Sequence, residues 1–566
     1  MPEDTAAEDA LPEDSLPDDT VPEDIAPGSA LPDYVRGLLD PAAYPEAPHS
    51  VDLRQTHISY VFLAGEMVYK TKKPVDFGFI DQTDAGARAR FCHAELRLNR
   101  RLAPDVYLDV VTVVRTPDGR FAVDGATEAG PQVVEWAVKM RRLPDDRTLD
   151  RLLDANAAPP QFIERIVRRL IAFHEAAEVV VNDPDFAGGP AERAWWQREY
   201  KEAEAFIGET WRPEDAQATR TFVEQTIERE QALFDDRLAL RRVVEGHGDL
   251  QAKHVYALDN TGEDLAIIDC IEFNDWFHFR YLDVGYDVAF LAMDLEALGR
   301  PDLGDELAGR YIAAAHDETM GPLQPLHRAL RAFVRGKVES IGAGASELPE
   351  IERRALAASA SRYFRLAAAY AERRAAPSLV LLAGLPATGK STVAGTLAGR
   401  VGAACISSDA VRKRLAGLDP RERAAEAFGA GLYAPEMTER TYAQLRSRAG
   451  EQLAAGRPVV LDATHSSVAQ RRDALAIAME HGVPTLIAEL RLDPEAARSR
   501  IESRRDDPLR SSDATPEVYE RQRAAFEPVT SAEPATHLVL DAAQRPAALA
   551  LQIAAHLPPA EPAAAP

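Results

Sequence analysis

A nine-residue loop, GLPATGKST at residues 384–392, constrains the fold of this chain more than any other stretch. It matches the pattern G-x-x-x-x-G-K-[ST]. The apolar run Ser378–Ala383 before it predicts a short buried strand, and the run Thr392–Arg400 after it predicts a helix. A glycine-rich turn between strand and helix points backbone N–H groups into a hollow at the positive end of the helix dipole. We therefore expect a nucleoside triphosphate site here rather than an ordinary glycine turn.

The loop predicts its own ligand contacts. Lys390 can reach the β- and γ-phosphates, and the Ser391 hydroxyl can ligate Mg²⁺, which makes ATP and Mg²⁺ the expected cofactors. The expected nucleotide-binding residues are consecutive: Gly384, Leu385, Pro386, Ala387, Thr388, Gly389, Lys390, Ser391 and Thr392.

Composition limits the possible partners. The 566 residues carry a formal charge of −26, which disfavours bulk attraction to nucleic acid or to anionic membranes. No apolar run approaches the ~18 residues that a bilayer span needs, and no signal peptide is evident. The 3 cysteines are far apart and form no metal or redox pattern, which suits a reducing compartment. We expect a cytoplasmic protein that acts on a small molecule, in an oligomeric state the sequence leaves open.

Segments of biased composition predict the domain limits. Residues 1–45 are acidic and proline-spaced at their start, and residues 558–566 are rich in Pro and Ala, so both are predicted as disordered tails. The acidic tail is a solubilising arm or a docking segment for a basic partner. A helical pattern over Leu348–Arg374 stops at Ala375-Ala376-Pro377, which predicts folded domains at 46–375 and 376–557.

The two folded halves differ in pattern. In the C-terminal half strands and helices alternate, which predicts an α/β domain with a parallel sheet. Its strands are expected at Ala404–Ser407, Pro458–Ala463, Pro484–Leu492 and Thr536–Leu540, and its helices at Ser408–Leu415 and Pro494–Arg504. In the N-terminal half early strands precede a helical region from Pro160 to Arg374, which predicts an α+β domain. Its strands are expected at Ile58–Leu63, Met67–Thr71, Tyr107–Val114, Phe121–Val123 and Val133–Met140.

The N-terminal half also carries residues suited to phosphoryl transfer. Such transfer needs one carboxylate to orient the acceptor hydroxyl and another to hold Mg²⁺, and Asp249 and Asp269 both follow strand-like runs. Lys70 and Lys72 share one face of a predicted strand, so a phosphate and the acid Glu95 could pair with them. The alternative is that these lysines lie on a solvated strand face.

Residues 50–345 resemble the aminoglycoside-phosphotransferase-like kinases, a branch of which is fused to a P-loop domain in bacterial bifunctional proteins. The matching stretches are VYKTKKPVDFGFI, ELRLNRRLAPDVY, EGHGDL and IDCIEFN. The resemblance implies a protein-kinase-like fold, Asp249 as the catalytic base and Asp269 as a metal ligand. It also implies an asparagine metal ligand five residues after Asp249, where this chain has His254. Imidazole is a poorer ligand for Mg²⁺. His254 is therefore the candidate metal ligand at that place, and it either serves differently or marks a half that transfers phosphate slowly or only binds nucleotide.

Further acidic and basic residues narrow the chemistry of the C-terminal half. Asp409 follows the second strand and could accept a proton from a substrate hydroxyl, although a helix N-cap is the alternative, and Arg412 lies one turn later. Asp462 ends another strand and is expected to steady Mg²⁺. An arginine-rich run that includes Arg500 and Arg504 could close over the phosphates, or form ion pairs on a solvated helix.

The stretches GLPATGKST, SSDAVRKRL and VVLDAT resemble the small P-loop kinases that include polynucleotide kinase, zeta-toxin and gluconate-kinase-like proteins. This resemblance implies a kinase that uses ATP but names no acceptor. The resulting prediction is a multidomain, bifunctional ATP-dependent phosphotransferase with small-molecule acceptors. Two alternatives stay open: an N-terminal pseudokinase that gates the P-loop half, and a kinase for nucleic-acid 5′-hydroxyls.

Overall fold

The structure is a computed structural model that describes residues 31–78, 80–124, 132–180, 183, 186–274, 276–346, 348–422, 431–503 and 515–560. It has several domains, and its strands fall into one antiparallel and one parallel main sheet with two small pairs between them.

The first element corrects the predicted extent of the N-terminal tail. Residues 31–45 include helix α1 (Asp33–Gly37) and a 3₁₀ turn at Pro41–Ala43. Val35 and Leu38 are fully buried, and Tyr44 lies over Tyr69 of the first sheet with ring centroids 5.0 Å apart. These apolar residues anchor the segment because they cover one face of the sheet, which the acidic repeat before them cannot do. The earlier part of the predicted tail lies outside the described residues.

The N-terminal sheet has six strands in the order β1-β2-β3-β6-β4-β5, all antiparallel. Their bounds are β1 Val51–Gln55, β2 Ser59–Ala64, β3 Met67–Lys72, β4 Tyr107–Arg115, β5 Phe121–Val123 and β6 Gln132–Arg141. The five predicted strands are confirmed. The sequence did not predict β1, because VDLRQ at the sheet edge is only half buried and has little apolar signal. Helix α2 (Ala85–Asn99) packs against β6 and β4.

A mainly helical region follows this sheet. Its helices are α3 Leu149–Asp154, α4 Phe162–Ala176, α5 Gly189–Ala203, α6 Pro213–Arg229, α7 Gln231–Ala239, α8 Val284–Ala297, α9 Pro301–Ala315, α10 Gln324–Ala343 and α11 Glu350–Ala369. Two short antiparallel pairs interrupt it: β7 (Val243–Glu245) with β10 (Tyr281–Asp283), and β8 (Val255–Ala257) with β9 (Leu265–Ile267). The predicted sheet followed by helices is confirmed as an arrangement of elements.

The C-terminal half is a parallel five-stranded sheet with strand order β12-β13-β11-β14-β15. Its strands are β11 Leu379–Ala383, β12 Ala404–Ser407, β13 Val459–Asp462, β14 Thr485–Arg491 and β15 Thr536–Asp541. Its helices are α12 Lys390–Val401, α13 Ser408–Leu415, α14 Pro435–Ala454, α15 Val468–Glu480, α16 Pro494–Ser503, α17 Pro516–Ala525 and α18 Pro546–Ala554. The predicted alternation and parallel sheet are confirmed. All five residues of β11 are buried, as a central parallel strand requires.

The chain end differs from the predicted second tail. The amide of Ala376 donates to the carbonyl of Pro558 at 2.8 Å, and Ala375 forms a β-bridge with Pro559. Residues 558–560 therefore lie against the start of the C-terminal half, because this backbone pairing holds them there.

The two halves pack closely through helices α9 and α12. Leu307, Ala308 and Ile312 of α9 share one apolar cluster with Val393 and Leu397 of α12. The helix backbones meet at two glycines: a Cβ on Gly309 would lie 2.4 Å from the amide nitrogen of Thr396, and one on Gly395 would lie 2.2 Å from the carbonyl oxygen of Gly309. The helix after the phosphate loop is thus packed directly against the N-terminal half.

Candidate functional site

The GLPATGKST loop connects β11 to α12 at the carboxyl end of the parallel sheet. Gly384 adopts a φ of +142°, and a Cβ there would lie 2.5 Å from the carbonyl oxygen of Leu490, so only glycine suits this position. Ala387 and Gly389 also have positive φ, and Gly389 immediately precedes α12. Lys390, Ser391 and Thr392 form the first turn of that helix, where backbone N–H groups favour an anion.

Lys390, which is half-buried, and Asp462, which is buried, are charged groups beside the phosphate loop. Lys390 Nζ donates to the carbonyl of Leu385 at 2.8 Å, as does Thr388 Oγ1 at 2.9 Å. Burial lowers the pKa of Lys390, although Asp462 and Asp409 act in the opposite direction. Burial likewise raises the pKa of Asp462, against the effects of the Ser391 hydroxyl and Lys390. Each group lacks full compensation, so a phosphate and a cation would stabilise both charges.

The strand order explains why Asp462 lies beside the loop. Strand β13 pairs directly with β11, with Asp462 opposite Leu382. The Ser391 hydroxyl and the Asp462 carboxylate are oxygen donors of the kind Mg²⁺ prefers, and bound phosphates would add further oxygens. The residues present therefore fit the expected ion.

Asp409 and Arg412 lie on α13, which follows the neighbouring strand β12. Arg412 Nη1 bonds to Asp409 Oδ1 at 3.0 Å, and the Arg412 guanidinium lies 4.8 Å from the centre of the Tyr433 ring. Asp409 is in the first turn of α13 and Ser407 is the residue before that helix, so Asp409 is not the N-cap. Its side chain keeps 29% exposure, which leaves it accessible to an acceptor.

The arginine-rich run is only partly described. Arg500 on α16 donates to the carbonyl of Ala387 in the phosphate loop at 3.4 Å. Arg498 forms an ion pair with Glu520 at 2.6 Å, as the solvated-helix alternative expected. Arg504 lies outside the described residues.

A cavity beside Ser391 and Asp462 is lined by residues from both halves. From the C-terminal half come Ser391, Cys405, Ser407, Ala410 and Asp462, and from α9 and the turn after it come Ile312, Ala313, His316 and Glu318. Glu318 binds Arg448 of α14 at 2.6 Å and also pairs with Arg414 of α13. The N-terminal half thus holds the helix that carries Asp409 and Arg412.

The residues predicted in the N-terminal half form a second charged cluster. Lys70 Nζ lies 2.9 Å from both Glu95 Oε1 and Asp269 Oδ1. Lys72 bonds to Glu95 at 2.5 Å and to Glu272, and these last three side chains are almost fully buried. The lysines therefore do not lie on a solvated strand face, which excludes that alternative.

Electrostatics keep the exposed carboxylate of this cluster charged. Burial tends to raise the pKa of Asp269, but Lys70 and His254 outweigh it and lower that pKa. Burial alone would likewise raise the pKa of Glu95, yet Lys70 and Lys72 lower it. The Asp269 side chain is 43% exposed and has a φ of +69°, so an ionised carboxylate is held in an uncommon backbone conformation facing accessible space.

Asp249 lies on a loop fixed by Asp287 of α8. The amides of His247 and Gly248 donate to the two Asp287 oxygens at 2.7 and 2.9 Å. Gly248 has a φ of +86°, and a Cβ there would lie 2.4 Å from the carbonyl of Phe279. The His247 ring bonds to the carbonyl of Ile268 at 2.8 Å, which joins this loop to the segment that carries Asp269.

His254 stands between the two aspartates. Its Nδ1 donates to the main-chain carbonyl of Asp249 at 2.8 Å, and its Nε2 lies 3.7 Å from Asp269 Oδ2. Among the residues that the structure describes, no three His, Cys, Asp or Glu side chains form a metal site. The predicted metal roles of Asp269 and His254 therefore stay predictions.

Three acidic or basic residues of these sites were not predicted. Glu272 follows Asp269 by three residues in a stretch already matched, so the spacing could have indicated it. Glu318 and Arg448 gave no sequence signal, because each acts across the contact between the halves.

Comparison with known proteins matches residues 379–529 to a family described as an AAA domain. Among solved structures, a gluconokinase from Sinorhizobium meliloti is 19% identical, with 32% of this chain and 94% of that chain covered and a TM-score of 0.24. Kti12 of Chaetomium thermophilum, solved in complex with ADP-AlF3, is 20% identical, with 31% and 95% covered and a TM-score of 0.24. Likenesses at these TM-scores carry no functional argument.

None of the helices in the described part of the chain is long and apolar enough to cross a membrane.

Among curated relatives, the uncharacterized protein Rv2004c of Mycobacterium tuberculosis is 32% identical over 472 residues, which cover 83% of this chain and 88% of the relative. The uncharacterized protein Mb2027c of Mycobacterium bovis matches to the same extent. Since neither half is 472 residues long, the likeness spans both, and the chain belongs to the family of these mycobacterial proteins.

Proposed function

We propose that this chain is an ATP-dependent phosphotransferase with two phosphate-handling sites, of which the C-terminal one transfers the γ-phosphate of ATP to a hydroxyl of a small molecule. The observation that carries the proposal is the arrangement of Lys390, Ser391 and Asp462 around the phosphate loop, with Asp409 and Arg412 on the adjacent helix. The loop alone suits any nucleotide-binding protein. The acid–arginine pair supports a kinase, because it supplies a base and a counter-charge on the acceptor side.

Ser391 and Asp462 would hold Mg²⁺, which would supply positive charge against the phosphates when bound. Asp409 accepts the proton of the acceptor hydroxyl while the hydroxyl oxygen forms a bond to the γ-phosphorus. The bond from that phosphorus to the bridging oxygen breaks, and ADP leaves. Lys390 and Arg412 offset the charge that develops on the transferred group.

For the N-terminal half we propose a second site of the aminoglycoside-phosphotransferase-like type. Lys70 with Glu95 would orient the nucleotide phosphates, Asp269 would hold a cation, and Asp249 would orient the acceptor. Two contacts support this proposal. Lys70 contacts both Glu95 and Asp269, and the loop of Asp249 is hydrogen-bonded to the segment that carries Asp269. The alternative is an N-terminal half that binds nucleotide and gates its neighbour, and the position of His254 between the two aspartates favours it.

The test is a set of ATP-turnover assays on the full chain, with sugars, aminoglycosides, nucleosides and 5′-hydroxyl oligonucleotides as acceptors. Wild type is compared with Lys390→Ala, Asp409→Asn and Asp249→Asn. We expect Lys390→Ala and Asp409→Asn to abolish one acceptor activity and Asp249→Asn to abolish another. If Lys390→Ala left all turnover unchanged, the proposal for the C-terminal half would be wrong. If Asp249→Asn changed no activity while the N-terminal site still bound nucleotide, the gating alternative would replace a second enzyme.

A further inference from the structure

One buried arginine of the N-terminal half has no anionic partner among the described residues. Arg331 of α10 is 4% exposed, and its Nε and Nη2 have no hydrogen-bond partner within the described chain. Its guanidinium lies 5.1 and 5.0 Å from the ring centres of Tyr286 and Phe290. Burial of an unpaired charge is strongly unfavourable for folding, so such an arginine indicates a functional role.

Arg328, three residues earlier on the same helix, shows the usual arrangement. It is equally buried, but it bonds to Asp305 at 2.7 Å, and the opposing charge outweighs burial and raises its pKa. For Arg331 burial dominates and lowers the pKa. Of these two arginines in one helix, only Arg328 is bonded to a carboxylate.

The acidic groups near Arg331 are already engaged. Asp287 accepts from the amides of His247 and Gly248, and Asp283 pairs with Arg237. Glu192 bonds to His278 and Tyr286, and burial raises its pKa to about 8, so it is protonated at neutral pH. These contacts leave no buried carboxylate bonded to Arg331, although the charge of the nearby Asp287 acts to raise its pKa.

Two histidines beside Arg331 also have unpartnered nitrogens. His327 lies one turn before Arg331 on α10, is fully buried, and neither ring nitrogen has a partner within the described chain. His278 bonds to Glu192 through Nε2, and its Nδ1 has no partner there. The ring centres of His327 and His278 lie 4.0 and 4.4 Å from that of Tyr286, so three nitrogen-bearing side chains surround one aromatic ring.

This cluster adjoins the acceptor side of the proposed N-terminal site. Tyr286 immediately precedes Asp287, which fixes the loop of Asp249. Asp249 is near enough to raise the pKa of Arg331, and its side chain is 33% exposed. A ligand group held by Arg331 would therefore lie within electrostatic reach of the carboxylate expected to orient a hydroxyl.

We propose that Arg331, His327 and His278 bind a compact oxyanion, a carboxylate or a phosphate, on the small-molecule acceptor of the N-terminal site. The guanidinium presents a planar fork of donors that matches either anion. The acceptor class is then a hydroxylated acid or a hydroxylated phosphate ester, and not a polycationic aminoglycoside, which the charge of Arg331 would repel. This inference rests on the proposed N-terminal phosphotransferase only for the identity of the ligand as its acceptor.

The test is calorimetric titration of the full chain with D-glycerate, glycerol 3-phosphate, glycerol and kanamycin. The first two share the glycerol skeleton and differ in the anion. We expect one or both anions to bind at least 10-fold more tightly than glycerol or kanamycin, which corresponds to about 1.4 kcal/mol or more. Anion binding should weaken at least 10-fold in Arg331→Met and in Arg331→Gln. It should persist in Lys390→Ala, which removes the lysine of the C-terminal phosphate loop. Arg328→Met controls for general damage to α10.

The outcomes separate this inference from the proposed function. Equal binding of all four probes, or anion binding unchanged in both Arg331 variants, would overturn the oxyanion site. Anion binding that depends on Arg331 and persists in Asp249→Asn, with no phosphorylation of either probe by wild type, keeps the site and counts against acceptor chemistry there. Phosphorylation that depends on Asp249 but not on Arg331 keeps the function and removes the site.

Discussion

The two candidate sites handle phosphate with different parts of the chain. The C-terminal site takes its phosphate loop from consecutive residues, and its main donors would be backbone N–H groups at the start of α12. The N-terminal site collects side chains that are far apart in sequence, such as Lys70 and Asp269, which are 199 residues apart and 2.9 Å from each other. The loop can be recognised as a contiguous sequence pattern, whereas for the network the sequence indicated candidate residues but not which of them contact one another.

The two sites also differ in how their charged side chains are buried and paired. The N-terminal site buries an interconnected network of lysines and carboxylates whose charges offset one another. The C-terminal site holds the half-buried Lys390 and the buried Asp462. Burial lowers the pKa of Lys390 and raises that of Asp462, which favours the neutral form of each. We therefore expect mutations in the first site to act strongly on folding stability, and mutations in the second to act on turnover.

The largest effect is expected for Lys72→Met. The change leaves Glu95 and Glu272 buried with too little opposing charge, and breaking a buried pair in this way costs about 3–5 kcal/mol of unfolding free energy. Urea denaturation measures it. Lys201→Met, on the surface of α5, is the control and should change stability little. A loss under about 1 kcal/mol for Lys72→Met would contradict the view that this network is structurally costly to break.

Lys390→Ala should leave stability nearly unchanged and lower ATP turnover in the C-terminal half by about 10²–10³-fold, as the loss of a group that stabilises developing charge does. Steady-state turnover with saturating Mg²⁺ and ATP measures it. Arg472→Ala, whose side chain is 73% exposed on α15, is the matched control and should retain activity. If Lys390→Ala destabilised the fold as much as Lys72→Met, the proposed division between the sites would fail.

Gly309→Ala tests whether the two sites share one folded unit. The added methyl would lie against Thr396 of α12 and should cost about 1–3 kcal/mol as overpacking. Because α12 begins at the phosphate loop, nucleotide affinity of the C-terminal site should fall too, although Gly309 belongs to the other half. Thermal unfolding and fluorescent-nucleotide titration measure the two effects. For the control Gly344→Ala, the nearest atom would be 3.4 Å away, so neither quantity should change.

The smallest effect is a pH dependence of the N-terminal half from Glu192. Burial raises its pKa to about 8 in the folded chain. The stabilisation that this raised pKa gives is fully present below the unfolded value near 4.5, and it is lost as pH rises through about 8. Buried His278 and His327 have lowered pKa values, and their effect runs the other way but ends near pH 6.5. From pH 6.5 to 8 wild type should lose about 1.6 kcal/mol relative to Glu192→Gln. Parallel stability curves over this range would show that Glu192 does not titrate there.

The sequence predicted most strand positions and the parallel C-terminal sheet because apolar periodicity and turn residues act locally. It missed β1, whose position at the sheet edge leaves it half exposed, and it assigned Val35, Leu38 and Tyr44 to a tail because their partners lie on a later sheet. The sequence indicated Glu95 as a candidate acid for a lysine of this strand, and in the structure both Lys70 and Lys72 contact it. It could not predict Glu318 or the unpaired state of Arg331, because both depend on which helices pack together.

Nucleotide stoichiometry tests the central claim of two phosphate sites most directly. Calorimetric titration of the full chain with Mg²⁺ and a non-hydrolysable ATP analogue should give two bound nucleotides per chain. Lys390→Ala should remove or greatly weaken one of them, and Asp269→Asn the other. One nucleotide per wild-type chain, lost completely in Lys390→Ala and unaffected by Asp269→Asn, would contradict the account.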